Sequence, residues 1–374
     1  MAEKRLKIAV IGAGRLGGFH AHKLVGFPHV ELVAVVDPDP AARSRLAAEC
    51  NTAALAEHRP LVGQIDAAVI AAPTRLHHAL ARDFLEAGVH LLVEKPLCAT
   101  SAEAEELIRA ARRNRLVLQA GHVERFSPAL AAAAPHVRNP KYIEAVRASG
   151  FTFRSLDVGV VLDLMIHDID VVLSMVRAPL AKVEAMGLSI LGAHEDVANA
   201  RLEFECGCVA VLSASRVACE AARRMQVWSP RAFAAIDFAT RTTTLVRPSE
   251  TLLRRGFHAE SLSPEQVEYY KQHLVEEHLP REQKRFEAVD ALALELADFV
   301  DAVLTPREPR VPGEAGRDAI VVAEQILERI AAHRWNHTAD GPVGPAALPL
   351  PHVIPAPHFE ISAAQSEVLQ RKAG

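Results

Sequence analysis

The stretch Leu6-Lys7-Ile8-Ala9-Val10-Ile11-Gly12-Ala13-Gly14-Arg15-Leu16-Gly17 decides the fold. Leu6 to Ile11 is a short apolar run of the kind that forms a buried strand. A Gly-x-Gly-x-x-Gly turn follows, then a helical pattern to about Leu24, then a second apolar strand from Val30 to Val36 that ends in Asp37. Strand, glycine turn, helix, strand and acid in that order form a dinucleotide-binding βαβ unit. The first glycine makes the tight turn, the second lets backbone approach a pyrophosphate, and the third lets helix pack on strand. The helix N-terminus presents N–H groups and a positive dipole end to the phosphates. Gly12, Gly14, Arg15 and Leu16 are therefore expected against the cofactor. A carboxylate at Asp37 hydrogen-bonds ribose hydroxyls and repels a 2′-phosphate, which selects NAD over NADP. Arg43 and Arg45 read as the solvated face of the next helix.

Alternating strands and helices continue outward from this unit to about residue 121, which predicts a doubly wound parallel sheet. Strands are expected at Ile65–Ala71, Val89–Val93 and Leu116–Ala120. Thr100 and Glu103 have the spacing of a capping box at the start of a helix. Leu91-Leu92-Val93-Glu94-Lys95-Pro96 places an acid and a base at the carboxyl end of a buried strand, the edge where open α/β sheets bind ligands. An ion pair of Lys95 with Glu94 would account for the same residues without any chemistry.

Beyond residue 123 the pattern changes. Strands are expected near Tyr142–Ser149, Val183–Leu191, Ala198–Glu205, Val209–Ser215, Arg224–Trp228 and Ala232–Phe238, close enough in succession to make an antiparallel sheet. Pro248–Arg285 is charged and poorly periodic and reads as a surface insertion with helical turns. Helices are expected at Glu287–Val303 and Glu314–Ile330. The expected division is a cofactor domain over 1–122, an α+β domain over 123–340 and a proline-rich tail over 341–374.

A helix expected over Asp157–Met175 carries the second group of polar residues. Asp163 and His167 are four apart and share a face, with Asp170 near the same stripe and Leu162, Met165, Ile166 and Ile169 around them. A histidine beside a carboxylate can take a proton near neutral pH. A packed or capping histidine, or a metal ligand, are the competing readings; one cluster without a partner argues against the metal. Oxidising an alcohol needs a base for the hydroxyl proton and a hydride acceptor for the carbon. Lys95 and His167 can share the proton, with Asp163 orienting them.

The 374 residues carry a formal net charge of −4, with 24% charged residues, which gives no nucleic-acid footprint. Five scattered cysteines make no disulfide framework, and the Cys206-Gly207-Cys208 spacing is wrong for zinc. The first residues have neither an apolar export segment nor a cleavage signal, and no apolar run is long enough to span a bilayer. A cytoplasmic protein is expected.

Gly12-Ala13-Gly14-Arg15-Leu16-Gly17, Pro73-Thr74-Arg75-Leu76-His77, Glu94-Lys95-Pro96, Gly121-His122-Val123-Glu124-Arg125-Phe126 and Asp163-Leu164-Met165-Ile166-His167 together resemble the Gfo/Idh/MocA oxidoreductase family. The resemblance reaches to about Ala332. It implies an N-terminal Rossmann domain and a C-terminal α+β domain with an open, mostly antiparallel sheet whose outer face makes a homodimer or homotetramer. It implies that Lys95, Asp163 and His167 are catalytic. It also implies that Pro73, Thr74, His77, Glu94 and Pro96 lie by the cofactor, that the Lys95–Pro96 bond is cis, and that Arg125 lies by the substrate. The sequence looks most like members that oxidise C3 of UDP-N-acetylglucosamine in making lipid A or surface glycans. Arg147, Arg154, Arg216, Arg223 and Arg224 are candidate partners for a diphosphate, with Arg154 expected at the substrate. A polyol or inositol dehydrogenase, an NAD-using glycosidase and a non-catalytic NAD sensor are the alternatives.

Overall fold

A computed structural model describes residues 5–153, 157–287 and 289–333. Arg154 and the expected tail over 341–374 lie outside the described residues.

The first sheet has six parallel strands in the order β3-β2-β1-β4-β5-β6. They are β1 (Leu6–Ile11), β2 (Val30–Val36), β3 (Ala53–Leu55), β4 (Ala67–Ile70), β5 (His90–Glu94) and β6 (Leu118–Gly121). Helices α1 (Arg15–Val25), α2 (Pro40–Cys50), α3 (Thr74–Glu86) and α4 (Ser101–Asn114) connect them. The central strands are buried on both faces, so they read as continuous apolar runs. Thr100 and Glu103 make the expected capping box at α4. The order reverses between β1 and β4, which opens a crevice beyond their carboxyl ends. The glycines fit the tight turn there. Gly12 has φ of 109°, and a Cβ on it would meet the Ala71 carbonyl oxygen at 2.5 Å.

After α5 (Pro128–Ala133), the second sheet runs β14-β13-β12-β11-β7-β10-β9-β8. Its strands are β7 (Tyr142–Ala148), β8 (Leu180–Leu188), β9 (Val197–Phe204), β10 (Val209–Ser215), β11 (Ala222–Trp228), β12 (Phe233–Asp237), β13 (Thr242–Val246) and β14 (Arg281–Arg285). Every neighbouring pair is antiparallel except β7–β10, which is parallel. Helix α6 (Ile166–Val176) lies on one face.

Two expectations need correction. The single helix expected over Asp157–Met175 is a π-helical turn at Val161–Met165 followed by α6. The stretch Pro248–Arg285 does contain helices, α7 (Glu250–Leu253) and α8 (Pro264–His278), but its end is β14, the edge of the sheet. All five β14 residues are exposed and polar, so no apolar alternation marks the strand. The short strands β3 and β13 had no reading of their own.

Helices α9 (Ala291–Leu304) and α10 (Gly313–Ala332) return the chain to the first sheet. α10 packs on α4 and β6 on one side and on α6 and β8 on the other. One apolar cluster consequently runs from Ile70 and Val93 of the first sheet to Leu202 and Leu212 of the second. That shared core fixes the π-turn against the carboxyl end of β5.

Candidate active site

A groove of about 990 Å³ lies along the carboxyl ends of β1, β2 and β5. Gly12, Gly14, Arg15, Leu16, Asp37, Pro73 and Lys95 line one wall. Asp163, His167, Arg147 and Arg223 line the other.

At the cofactor end, Gly14 is the N-cap of α1 and no side chain caps that helix. Its first N–H groups are therefore available to an anion. A Cβ on Gly14 would point into open space, with no atom within 4 Å. A dinucleotide pyrophosphate fits this open, uncapped helix end. The Asp37 carboxylate accepts from Ala13 N at 2.7 Å and from Asp39 N at 2.8 Å, so it is fixed beside the glycine turn. Arg43 Nη1 donates to the carbonyls of Asp37 and Pro38, committing it to the turn rather than to a ligand. Arg45 does line the groove.

At the chemical end, Lys95 follows β5 through a cis bond to Pro96. Lys95 Nζ donates to the Asp163 carbonyl at 2.6 Å and to Asp163 Oδ1 at 3.0 Å. The lysine is thus tied across to the second sheet's π-turn and is not paired with Glu94. Glu94 is buried and bonded to His20 Nε2 at 2.7 Å, and it accepts the Lys95 backbone N–H at 3.2 Å. Burial would raise its pKa, but His20 and Lys95 together outweigh burial and lower it. The π-turn is held by Glu195, whose Oε1 accepts from Val161 N at 3.1 Å.

His167 lines the groove, while its Nδ1 is sealed inside. Burial, with Lys95, Arg147, His122 and Arg223 around it, holds the imidazole well below its ordinary pKa. The ring is a neutral base that can accept a proton and cannot keep it comfortably. Arg147 forms a two-point pair with Asp168 (2.9 Å twice) and a third bond to Glu124 at 2.8 Å. Buried pairing of this kind keeps the guanidinium charged and in place.

Several expected residues stand behind the lining. Thr74, His77, Glu94, Pro96 and Arg125 do not line the groove. His77 is buried between the carbonyls of Pro96 and Ala72, at 2.9 and 2.7 Å. Arg125 bonds Asp170 at 3.1 Å, so Asp170 does not join the Asp163–His167 stripe. Among the candidate diphosphate partners, Arg147 is fully committed to carboxylates, Arg216 to Asp196 and the Val158 carbonyl, and Arg224 to Asp237. Arg223 makes no salt bridge among the described residues, acts on Asp168 only through its charge, and lies in the groove. His20 and Glu195 carried no sequence signal, because each acts on a partner far away in the chain; Glu124 stood inside one of the quoted motifs, but its bond to Arg147 could not be read from it.

Residues 6–122 match the family described as oxidoreductases with an NAD-binding Rossmann fold, and residues 132–232 match the GFO/IDH/MocA C-terminal domain. A UDP-N-acetylglucosamine 3-dehydrogenase from Acidithiobacillus ferrooxidans is 33% identical over 87% of this chain and 98% of its own length. Its solved structure superposes with a TM-score of 0.76, covering 88% of this chain and 98% of that one. A scyllo-inositol 2-dehydrogenase from Bacillus subtilis is 29% identical over 57% of this chain and 68% of its own length. The uncapped glycine turn, its acid and both matched segments agree on an NAD-dependent enzyme, and the chain belongs to the Gfo/Idh/MocA oxidoreductase family.

Proposed function

We propose that this chain oxidises a hydroxyl of a nucleotide-linked amino sugar to a ketone, at C3 of UDP-N-acetylglucosamine. The carrying observation is the Lys95–Asp163 contact, which sets a cation and a carboxylate beside His167 in the groove that begins at the Gly14 turn. The similarity to a UDP-N-acetylglucosamine 3-dehydrogenase over nearly the whole chain supports this substrate. Arg223, an exposed guanidinium in the groove, supports an anionic one.

NAD, when bound by the Gly12–Leu16 turn and Asp37, supplies the hydride acceptor. Lys95 Nζ, held by Asp163, directs positive charge at the hydroxyl oxygen and favours its alkoxide form. His167 Nε2 takes the hydroxyl proton; burial has kept the ring neutral and ready for it. Asp163 holds Lys95 at the oxygen. Pro73 and Leu76 line the same groove. We place the reaction in the cytoplasm, as a step toward lipid A or another surface glycan, in a homodimer or homotetramer formed by the outer face of the second sheet.

The test mixes purified protein and NAD with UDP-N-acetylglucosamine, other UDP-sugars, inositols and aryl glycosides, with 2-oxoglutarate added to release tightly held NADH. NADH absorbance is followed and the product mass is measured. A product two hydrogens lighter from UDP-N-acetylglucosamine supports the reading. Turnover of an inositol alone would transfer the assignment to a polyol dehydrogenase.

A further inference from the structure

Behind His167 lies a group of buried polar atoms that the reaction above does not use. His167 Nδ1, both nitrogens of His122, Asp170 Oδ2, Gln119 Oε1, His20 Nδ1 and both carboxylate oxygens of Glu295 are sealed from solvent and have no hydrogen-bond partner among the described residues. They form one neighbourhood. The His122 and His167 rings meet edge to face at 6.5 Å between centroids. Asp170 acts electrostatically on both His122 and Glu295. Gln119 Nε2 bonds the Glu295 carbonyl at 3.2 Å, and His20 bonds Glu94, which also acts on Glu295.

A buried polar group without a partner destabilises the fold. Such groups in native proteins are met by internal water, each molecule making about 3 hydrogen bonds. A concentration of them beside a proton-accepting histidine has a functional reading.

We propose that these groups line an internal water chain, along which the proton taken up at His167 Nε2 leaves from Nδ1 and passes by way of His122 to Glu295. The relay moves one proton and no electrons. The substrate O–H bond breaks and Nε2 gains the proton. Nδ1 gives its own proton to the chain, so the ring ends neutral with its tautomer reversed. Glu295, a carboxylate at a pH above its raised pKa, becomes a carboxylic acid. Its surroundings suit a proton acceptor. Burial, with Glu94 from β5, Asp170 from α6 and Asp298 from its own helix, raises its pKa well above that of an ordinary glutamate. Arg125 neutralises one oxygen of Asp170, and His20 faces Glu94, so both acids next to Glu295 are themselves held by cationic or donor groups.

This inference rests on the proposed reaction, and its test separates the two. At a pH above the infrared midpoint of Glu295, where it is a carboxylate, a single turnover with NAD and UDP-N-acetylglucosamine is followed in weak buffer by NADH absorbance and by a pH-indicator dye in the solvent. NADH should appear before the dye reports a proton, because Glu295 retains it. In Glu295→Gln the lag should vanish, the rate of NADH formation should fall about 10-fold or more, and the acid limb of its pH profile should be lost. Dye and NADH moving together in the wild-type enzyme overturns the relay, as does a lag that survives in Glu295→Gln. The wild-type lag decides even if the variant does not fold. Infrared titration of the protein without substrate gives a second readout: a protonated-carboxyl band should persist well above the ordinary glutamate range and be missing from Glu295→Gln. A wild-type protein without that band also overturns the proposal. Absence of NADH with every sugar would count against the proposed reaction alone, since the band is read without turnover.

Discussion

Lys95 directs its charge to one place. Its ammonium is bonded twice to Asp163 and half-buried, so the site presents a cation whose position is set by the opposite wall. Lys95→Met should lower kcat about 10²- to 10⁴-fold, the range for removing a positioned proton-transfer group. NAD affinity measured by calorimetry should change little, because the pyrophosphate end lies at Gly14. Glu295 makes the opposite kind of prediction. Its folded pKa is raised, so the native state holds a proton that the unfolded chain releases, and stability falls as pH rises from the ordinary glutamate value through the folded one. Glu295→Gln should therefore stabilise the protein at pH 8 by about 1–3 kcal/mol and by much less near pH 4, as followed by urea unfolding. Lys95, Asp163 and His167 were legible in the sequence because strand-end position and i,i+4 spacing are local facts. Glu295 and His20 were not, since what defines each is a neighbour from another part of the chain.

The groove wall that carries Asp163 and His167 depends on one irregular element. The π-helical turn at Val161–Met165 brings the Asp163 carbonyl and carboxylate to the same lysine, and π-turns recur at functional sites. Its first N–H is held by Glu195, and Gly159 makes room: a Cβ there would lie 2.0 Å from Glu195 Oε1. Glu195→Ala should lower kcat about 10-fold with KM nearly unchanged, because a 1 Å misplacement is felt strongly in catalysis. Glu195→Gln, which still offers an oxygen to Val161 N, should restore most of it. The Arg147–Asp168–Glu124 cluster supports the same wall from β7. Arg147→Ala should cost about 3–5 kcal/mol by stranding a buried carboxylate, read from the urea midpoint. The sequence pattern showed a helix here but not its π-turn, since apolar spacing over Asp157–Met175 is compatible with either hydrogen-bond register. Strand β14 escaped for a different reason: an edge strand guarded by charges has no apolar face to display.

Across the whole molecule, the parallel order of the first sheet was legible from repeated β–α alternation, and the second sheet from short successive strands. Their alignment was not, because it depends on α10 packing on both. The outer face of the second sheet carries Tyr142, Val211, Trp228 and Phe233, half-buried, with the three aromatic rings in contact. Val211→Arg should shift the mass seen by light scattering toward the monomer if this face joins copies of the chain. The parallel β7–β10 pair has a further effect. The entire chain from Ala148 to Val209, which includes the π-turn and α6, is spanned by that one pairing. Closing so long a loop must precede the contacts that reward it. The nucleotide-binding half closes a comparable loop of its own through the β1–β4 pair, but turnover also needs the β7–β10 loop, which carries the π-turn whose Asp163 holds Lys95. During refolding, NAD capture should return before dehydrogenase turnover, so that a newly made chain passes through an interval in which it holds its coenzyme and does no chemistry.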